Sequence, residues 1–170
     1  MGSYIKYAIS ACSSGLLAIT LSGCFGSEPP KPQPKPKPEF KPSSLDEKAR
    51  GITIASSKPY NCKIVGESEG YEEAGNTRGA TKQKMRQGAI NQLKNESVHA
   101  IAEGQKVMIA IGKEEMKCRV KEQVVVGEGK KKQVQVKYNE VDCTTWDPIP
   151  ENAVILSYRI YGDLYDCGAK

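Results

Sequence analysis

Residues 107–143, VMIAIGKEEMKCRVKEQVVVGEGKKKQVQVKYNEVDC, decide the fold. Val107 to Ile111 is apolar at every position, the reading of a strand buried on both faces. Beyond it Met116, Cys118, Val120, Val124 and Val126 alternate with polar residues. Gly127-Glu128-Gly129-Lys130 supplies a turn, and Val134, Val136 and Tyr138 alternate on the return, so the segment is a β-hairpin. A two-residue turn at 128 and 129 places Cys118 opposite Asn139. The apolar phase slips by one between Tyr138 and Val141, which predicts a bulge at Asn139 or Glu140.

On the N-terminal side, ITIA (52–55) and YNCKIV (60–65) are short β-rich runs, with Tyr60, Cys62 and Ile64 sharing a face. Gly66 to Gly79 holds four glycines and reads as a loop. Residues 80–97 form the one convincing helix, with Met85, Ala89 and Leu93 recurring every fourth position and Ile90 beside them. Lys82, Lys84, Arg86 and Lys94 lie off that stripe and read as a solvated face; the first of them oppose the helix dipole. AVILSYRI (153–160) is the last strand. The order β-β-α-β-β-β-β predicts an α+β fold, an antiparallel sheet of five to six short strands with one packed amphipathic helix.

Six cysteines are present. Cys62, Cys118, Cys143 and Cys167 fall in this region, and an even number in an exported domain implies two disulfides. There is no C-x-x-C pair and His99 is the only histidine, so no metal site is expected. Three pairings are open. The hairpin register leaves Cys118 four residues short of Cys143, so a direct bridge between them is not favoured, and Cys62–Cys143 with Cys118–Cys167 is the expectation.

Seven of the ten prolines fall within residues 29–42, inside FGSEPPKPQPKPKPEFKPSS (25–44). Proline at alternate positions fixes φ and removes donors, which favours an extended polyproline II spacer. At ~3.1 Å per residue, twenty residues reach about 60 Å. Lys31, Lys35, Lys37 and Lys41 make the spacer basic, with anionic headgroups or peptidoglycan carboxylates as natural neighbours. Before it, Lys6 and the uncharged run Tyr7 to Leu21 read as an export signal. No apolar run reaches the ~18 residues of a spanning helix.

The chemistry of common enzymes is missing: no G-x-S-x-G, P-loop, H-E-x-x-H or G-x-G-x-x-G occurs in residues 45–170. Glu67, Glu69, Glu72 and Glu73 could offer paired carboxylates, but on one glycine-rich loop they read as solvated charge. His99 has no nucleophile signature near it. Aromatics are 6% with a single Trp, too few for a large aromatic-lined cofactor pocket, and no cofactor is expected. The net charge of +5 becomes +4 when Lys6 leaves with the signal, and the spacer carries half of that, so nucleic acid is not an expected partner.

Leu21-Ser22-Gly23-Cys24 resembles the lipobox of bacterial lipoproteins, in which the cysteine is acylated and becomes the mature N-terminus. Phe25 rather than Asp follows it, which by that resemblance implies the outer membrane. The layout then divides into a signal peptide (1–23), a lipidated Cys24 with its Pro/Lys-rich spacer (24–44) and a disulfide-stapled domain (45–170). This layout is similar to that of the Rcs stress-sensor lipoproteins, whose compact α+β domain carries two disulfides in non-consecutive pairing. Gly66-Glu67-Ser68-Glu69-Gly70 resembles that family's G-E-x-x-G, and Asn152-Ala153-Val154 its N-A-V. Cys62 departs from the pattern by preceding the G-E-x-x-G, and the hairpin is longer. The resemblance implies a non-enzymatic, lipid-anchored envelope protein acting by contact with envelope or outer-membrane proteins, stress sensing being its most concrete form. The domain would face the periplasm or the cell surface. The alternative is a structural or surface-binding module for peptidoglycan or a host surface.

Overall fold

The computed structural model describes residues 34–102, 105–127 and 132–168. Five strands and one helix follow in the order β1 (Thr53–Ala55), β2 (Lys63–Glu73), α1 (Lys82–Ser97), β3 (Val107–Val126), β4 (Gln133–Asp142) and β5 (Ala153–Asp166). The class is α+β, with a single mixed sheet that is mostly antiparallel. One pairing departs from the expected antiparallel pattern: β1 runs parallel to β3, Thr53 beside Met108. The strands are also longer than expected. The two apolar segments at 107–111 and 116–126 are one strand of 20 residues, carried past Gly112 by a bulge between Ile111 and Lys113.

The segment expected to be a loop, 66–79, is strand as far as Glu73. Its glycines serve packing instead. A Cβ on Gly70 would stand 2.0 Å from the Ala89 carbonyl oxygen and 2.6 Å from the Leu93 amide nitrogen, so α1 lies directly on the bare backbone of β2. On the helix side Gly88 gives the same clearance to Glu72. Tyr60 and Cys62 do not share a strand face with Ile64. They sit in a turn through Asn61 at φ 59°, and Tyr60 is exposed.

The stripe Met85, Ala89 and Leu93 is fully buried, as its spacing requires, and meets Ile109, Met116, Ile160 and Leu164 from the sheet. Thr81 caps the helix by accepting the Lys84 amide. Lys82, Lys84 and Arg86 beyond it are engaged rather than merely solvated. Lys82 Nζ donates to the carbonyls of Thr144 (2.7 Å) and Trp146 (3.2 Å), Lys84 meets Glu39 at 3.5 Å, and Arg86 grips Glu114.

Residues from Pro36 onward belong to this compact unit. The expected domain boundary at 45 falls inside its packing. Phe40 is in the core, its amide donates to the Arg78 carbonyl at 2.8 Å, and Arg78 returns the bond to Pro38 at 2.9 Å. Asn91 and Asn95 of α1 then donate to the carbonyls of Ser43 and Ser44. The buried Glu72 carboxylate accepts the Ser43 amide at 3.1 Å. The chain leaving the spacer is thereby strapped across α1.

The two disulfides are Cys62–Cys167 and Cys118–Cys143, not the expected Cys62–Cys143 and Cys118–Cys167. Register explains both. Lys63 pairs Asp166 at the end of the β2–β5 ladder, so Cys62 and Cys167 flank that pair one step further on, with Cα atoms 4.3 Å apart. In the hairpin Val126 pairs Gln133, a register two residues on from the expected one, which moves Cys118 from Asn139 to Val141. Cys143 then stands diagonally across from Cys118, with Cα atoms 5.8 Å apart. The expected pairing would span the sheet between the rows of Val107 and Met116, roughly 30 Å of strand.

The bulge expected at Asn139 or Glu140 is absent, and the β3–β4 register runs unbroken from Lys117–Asp142 to Val126–Gln133. The slip in apolar phase is a change of face. Val141 packs against the core, while Val134, Val136 and Tyr138 lie on the opposite side of the sheet.

Candidate contact surface: an uncovered sheet face and its projecting hairpin

Helix α1 covers one face of the sheet, and alternation sends every second side chain to the other. Reading across β2, β5 and β3 on that other face, Glu69, Tyr161 and Lys113 form one row and Tyr71, Arg159 and Glu115 the next. Glu73, Ser157, Lys117 and Asp142 follow, and then Val154, Arg119 and Glu140. Opposite charges stand beside one another throughout. Arg159 meets Glu69 at 2.8 Å and lies 5.0 Å from the Tyr71 ring centre; Arg119 meets Glu140 at 3.1 Å; Lys113 pairs with Glu115 and lies 5.8 Å from the Tyr161 ring. Asp142 is held below the usual carboxylate range because it accepts the Thr144 amide. The surface is a polar grid with tyrosine rings set into it, the floor of a wide, open hollow bordered by residues 75–83 and 147–151.

β5 begins at Ala153 opposite Val120, so among the described residues the hairpin beyond that row has no third strand. It projects as a two-stranded arm. On the face continuous with the grid, Val125 opposes Val134, Gln123 opposes Val136, and Lys121 opposes Tyr138. Val125, Val134, Val136 and Tyr138 are 59%, 64%, 45% and 63% exposed, so an apolar stripe stands in water where the core gives it no partner.

The residues singled out from sequence are dispersed. Cys24 lies outside the described residues, and Cys62, Cys118, Cys143 and Cys167 are in disulfides. Glu67, Glu69 and Glu73 lie on the grid face, whereas Glu72 is buried under α1, so the four carboxylates do not converge on one site. His99 is exposed in a 3-10 turn after α1. Among the described residues, no group of three or more His, Cys, Asp or Glu is placed to hold a metal ion.

The best-organised polar group was not marked by the sequence. Arg86 Nε and Nη2 donate to both Glu114 oxygens, at 2.9 and 2.7 Å, and the Tyr158 hydroxyl donates to the same carboxylate. The guanidinium holds Glu114 below the usual glutamate range, against the opposing effect of burial. Burial, and then the carboxylate, pushes Tyr158 up, while Glu114 raises Arg86. With its hydrogen bonds satisfied internally, the group ties α1 to the sheet. No known protein family, curated protein or solved structure matches the chain.

Proposed function

We propose that the protein is a non-enzymatic, lipid-anchored envelope protein that acts by protein contact, with envelope stress sensing as the most concrete form. Cys24 is the proposed lipid attachment point, and the outer membrane is the proposed location, with the domain in the periplasm or at the cell surface. The observation that carries the reading is the uncovered sheet face, a broad, open array of paired charges and tyrosines bordered by residues 75–83 and 147–151. Such a surface suits a protein partner, since mixed charge fixes register and tyrosine supplies contact area at low entropic cost. Two disulfides in a domain of this size suit an oxidising compartment outside the cytosol. The proline-rich spacer gives the tethered domain reach.

Photo-crosslinking residues placed at Lys117 and Tyr71 on the uncovered face, with Gln87 on the solvent side of α1 as reference, test this in living cells. Face-specific adducts with an envelope protein are expected, and Cys24→Ala should release the protein from the membrane fraction. Adducts equally abundant from Gln87 would contradict the contact reading. Salt-sensitive sedimentation with peptidoglycan and no protein adducts would favour the cell-wall module instead.

A further inference from the structure

We propose that the projecting hairpin pairs with its counterpart on a second copy of this chain, edge to edge through β4, with Val136 on the two-fold axis. The outer edge of β4 has no strand beside it among the described residues. Which of its backbone groups point outward follows from the ladder. The Cys143 amide donates to Met116 across the hairpin, so odd-numbered residues of β4 turn their backbone groups toward β3. The Lys121 amide, which turns the other way to Asn152, gives the same phase from β3. The amides and carbonyls of Val134, Val136, Tyr138 and Glu140 therefore face outward, a ten-residue strand's worth of unmet hydrogen-bonding capacity along an apolar stripe.

An antiparallel partner must set outward-pointing residues against outward-pointing residues, which leaves few registers for a second copy of the same strand. Centred on Val136, Val134 meets Tyr138, Val136 meets itself, Gln133 meets Asn139, Gln135 meets Lys137, and Lys132 meets Glu140. Apolar residues oppose apolar ones, and opposite charges close both ends. Glu140 already holds Arg119 through Oε1, so its other oxygen is the one that the second copy's Lys132 would meet. Centring on Lys137 would oppose two lysines and set Val134 against Glu140. Centring on Gln135 would shorten the ladder and set Lys132 against Tyr138. The Val136 register joins two stripes into one apolar cluster of eight side chains on a four-stranded ribbon. Being isologous, the contact uses up both edges and closes at two chains.

The full-length protein in detergent provides the test. Val136→Cys should form an interchain disulfide on mild oxidation, whereas Val154→Cys, more exposed but off the axis, should not. Density-matched sedimentation should give the mass of two chains, falling to one with Val136→Lys while the melting temperature holds. Lys132→Glu should weaken the dimer roughly tenfold through its two symmetry-related pairs, and Lys132→Glu with Glu140→Lys should restore it. A single-chain mass for the unmodified protein, as expected if the edge instead takes a strand from a different protein, would overturn the proposal. So would a dimer indifferent to Val136→Lys, or one that the charge reversal does not restore.

Discussion

The two halves of β3 are built from the same alternating pattern and end in opposite circumstances. From Val107 to Val120 the strand lies between neighbours and beneath α1, and its apolar residues Ile109, Met116 and Cys118 are buried. From Lys121 to Val126 it has β4 alone, and Val125 stands in water with Val134, Val136 and Tyr138. Alternation reports that a strand has two unlike faces; it does not report what covers them. Apolar residues hold the first half together, whereas in the second they are surface available for contact.

Substitutions should separate the halves. The largest effect is expected from Gly70→Ala, which forces a methyl group into the backbone of α1. Overpacking against backbone atoms, which cannot swing aside as a side chain would, should cost about 4 kcal/mol and show as a lowered urea midpoint with no change confined to the hairpin. Next comes Cys118→Ala with Cys143→Ala, at the root of the arm. Loop-closure entropy over a 25-residue separation predicts a loss of about 3.5 kcal/mol, measurable by thermal unfolding. Because both residues are buried, the core should register this loss, not the arm alone.

A smaller effect is expected at the helix–sheet margin. Arg86 lowers the folded-state pKa of Glu114, so the folded protein takes up that proton less readily than the unfolded chain does. The stability this contributes is complete above the ordinary glutamate range and fades as pH falls through the lowered value. Glu114→Gln should cost roughly 1 kcal/mol at neutral pH, since Arg86 is partly solvated, and should flatten the acid limb of the stability profile. The smallest effect is expected from Val136→Thr on the arm, within about 0.5 kcal/mol of monomer stability under dilute conditions.

The sequence carried the helix, the class and the hairpin because each rests on a period: Met85, Ala89 and Leu93 at four, Val134, Val136 and Tyr138 at two. It misled at Gly66 and Gly70, which read as loop formers together with Gly75 and Gly79, and only the latter two lie in the loop. Gly66 and Gly70 lie in a strand because α1 needs the clearance at Gly70, a requirement set by a helix many residues downstream. Disulfide pairing failed for a related reason. A two-residue shift in the hairpin register decides whether Cys143 comes within reach of Cys118, and composition does not fix that register. The uncovered face was visible only as alternating charge and tyrosine in 157–161 and 113–119. Its two-dimensional order depends on which strands are neighbours.

Amide hydrogen exchange, residue by residue, in the native protein and in Val136→Lys tests the separation of the two halves most directly. The account predicts that Ile109, Met116 and Ile160 exchange only through global unfolding in both proteins. The amides of Val134, Val136 and Tyr138, which are paired only across the dimer, should lose protection in the variant. Core amides that lose protection along with the arm, or arm amides that stay as slow as the core in Val136→Lys, would contradict it.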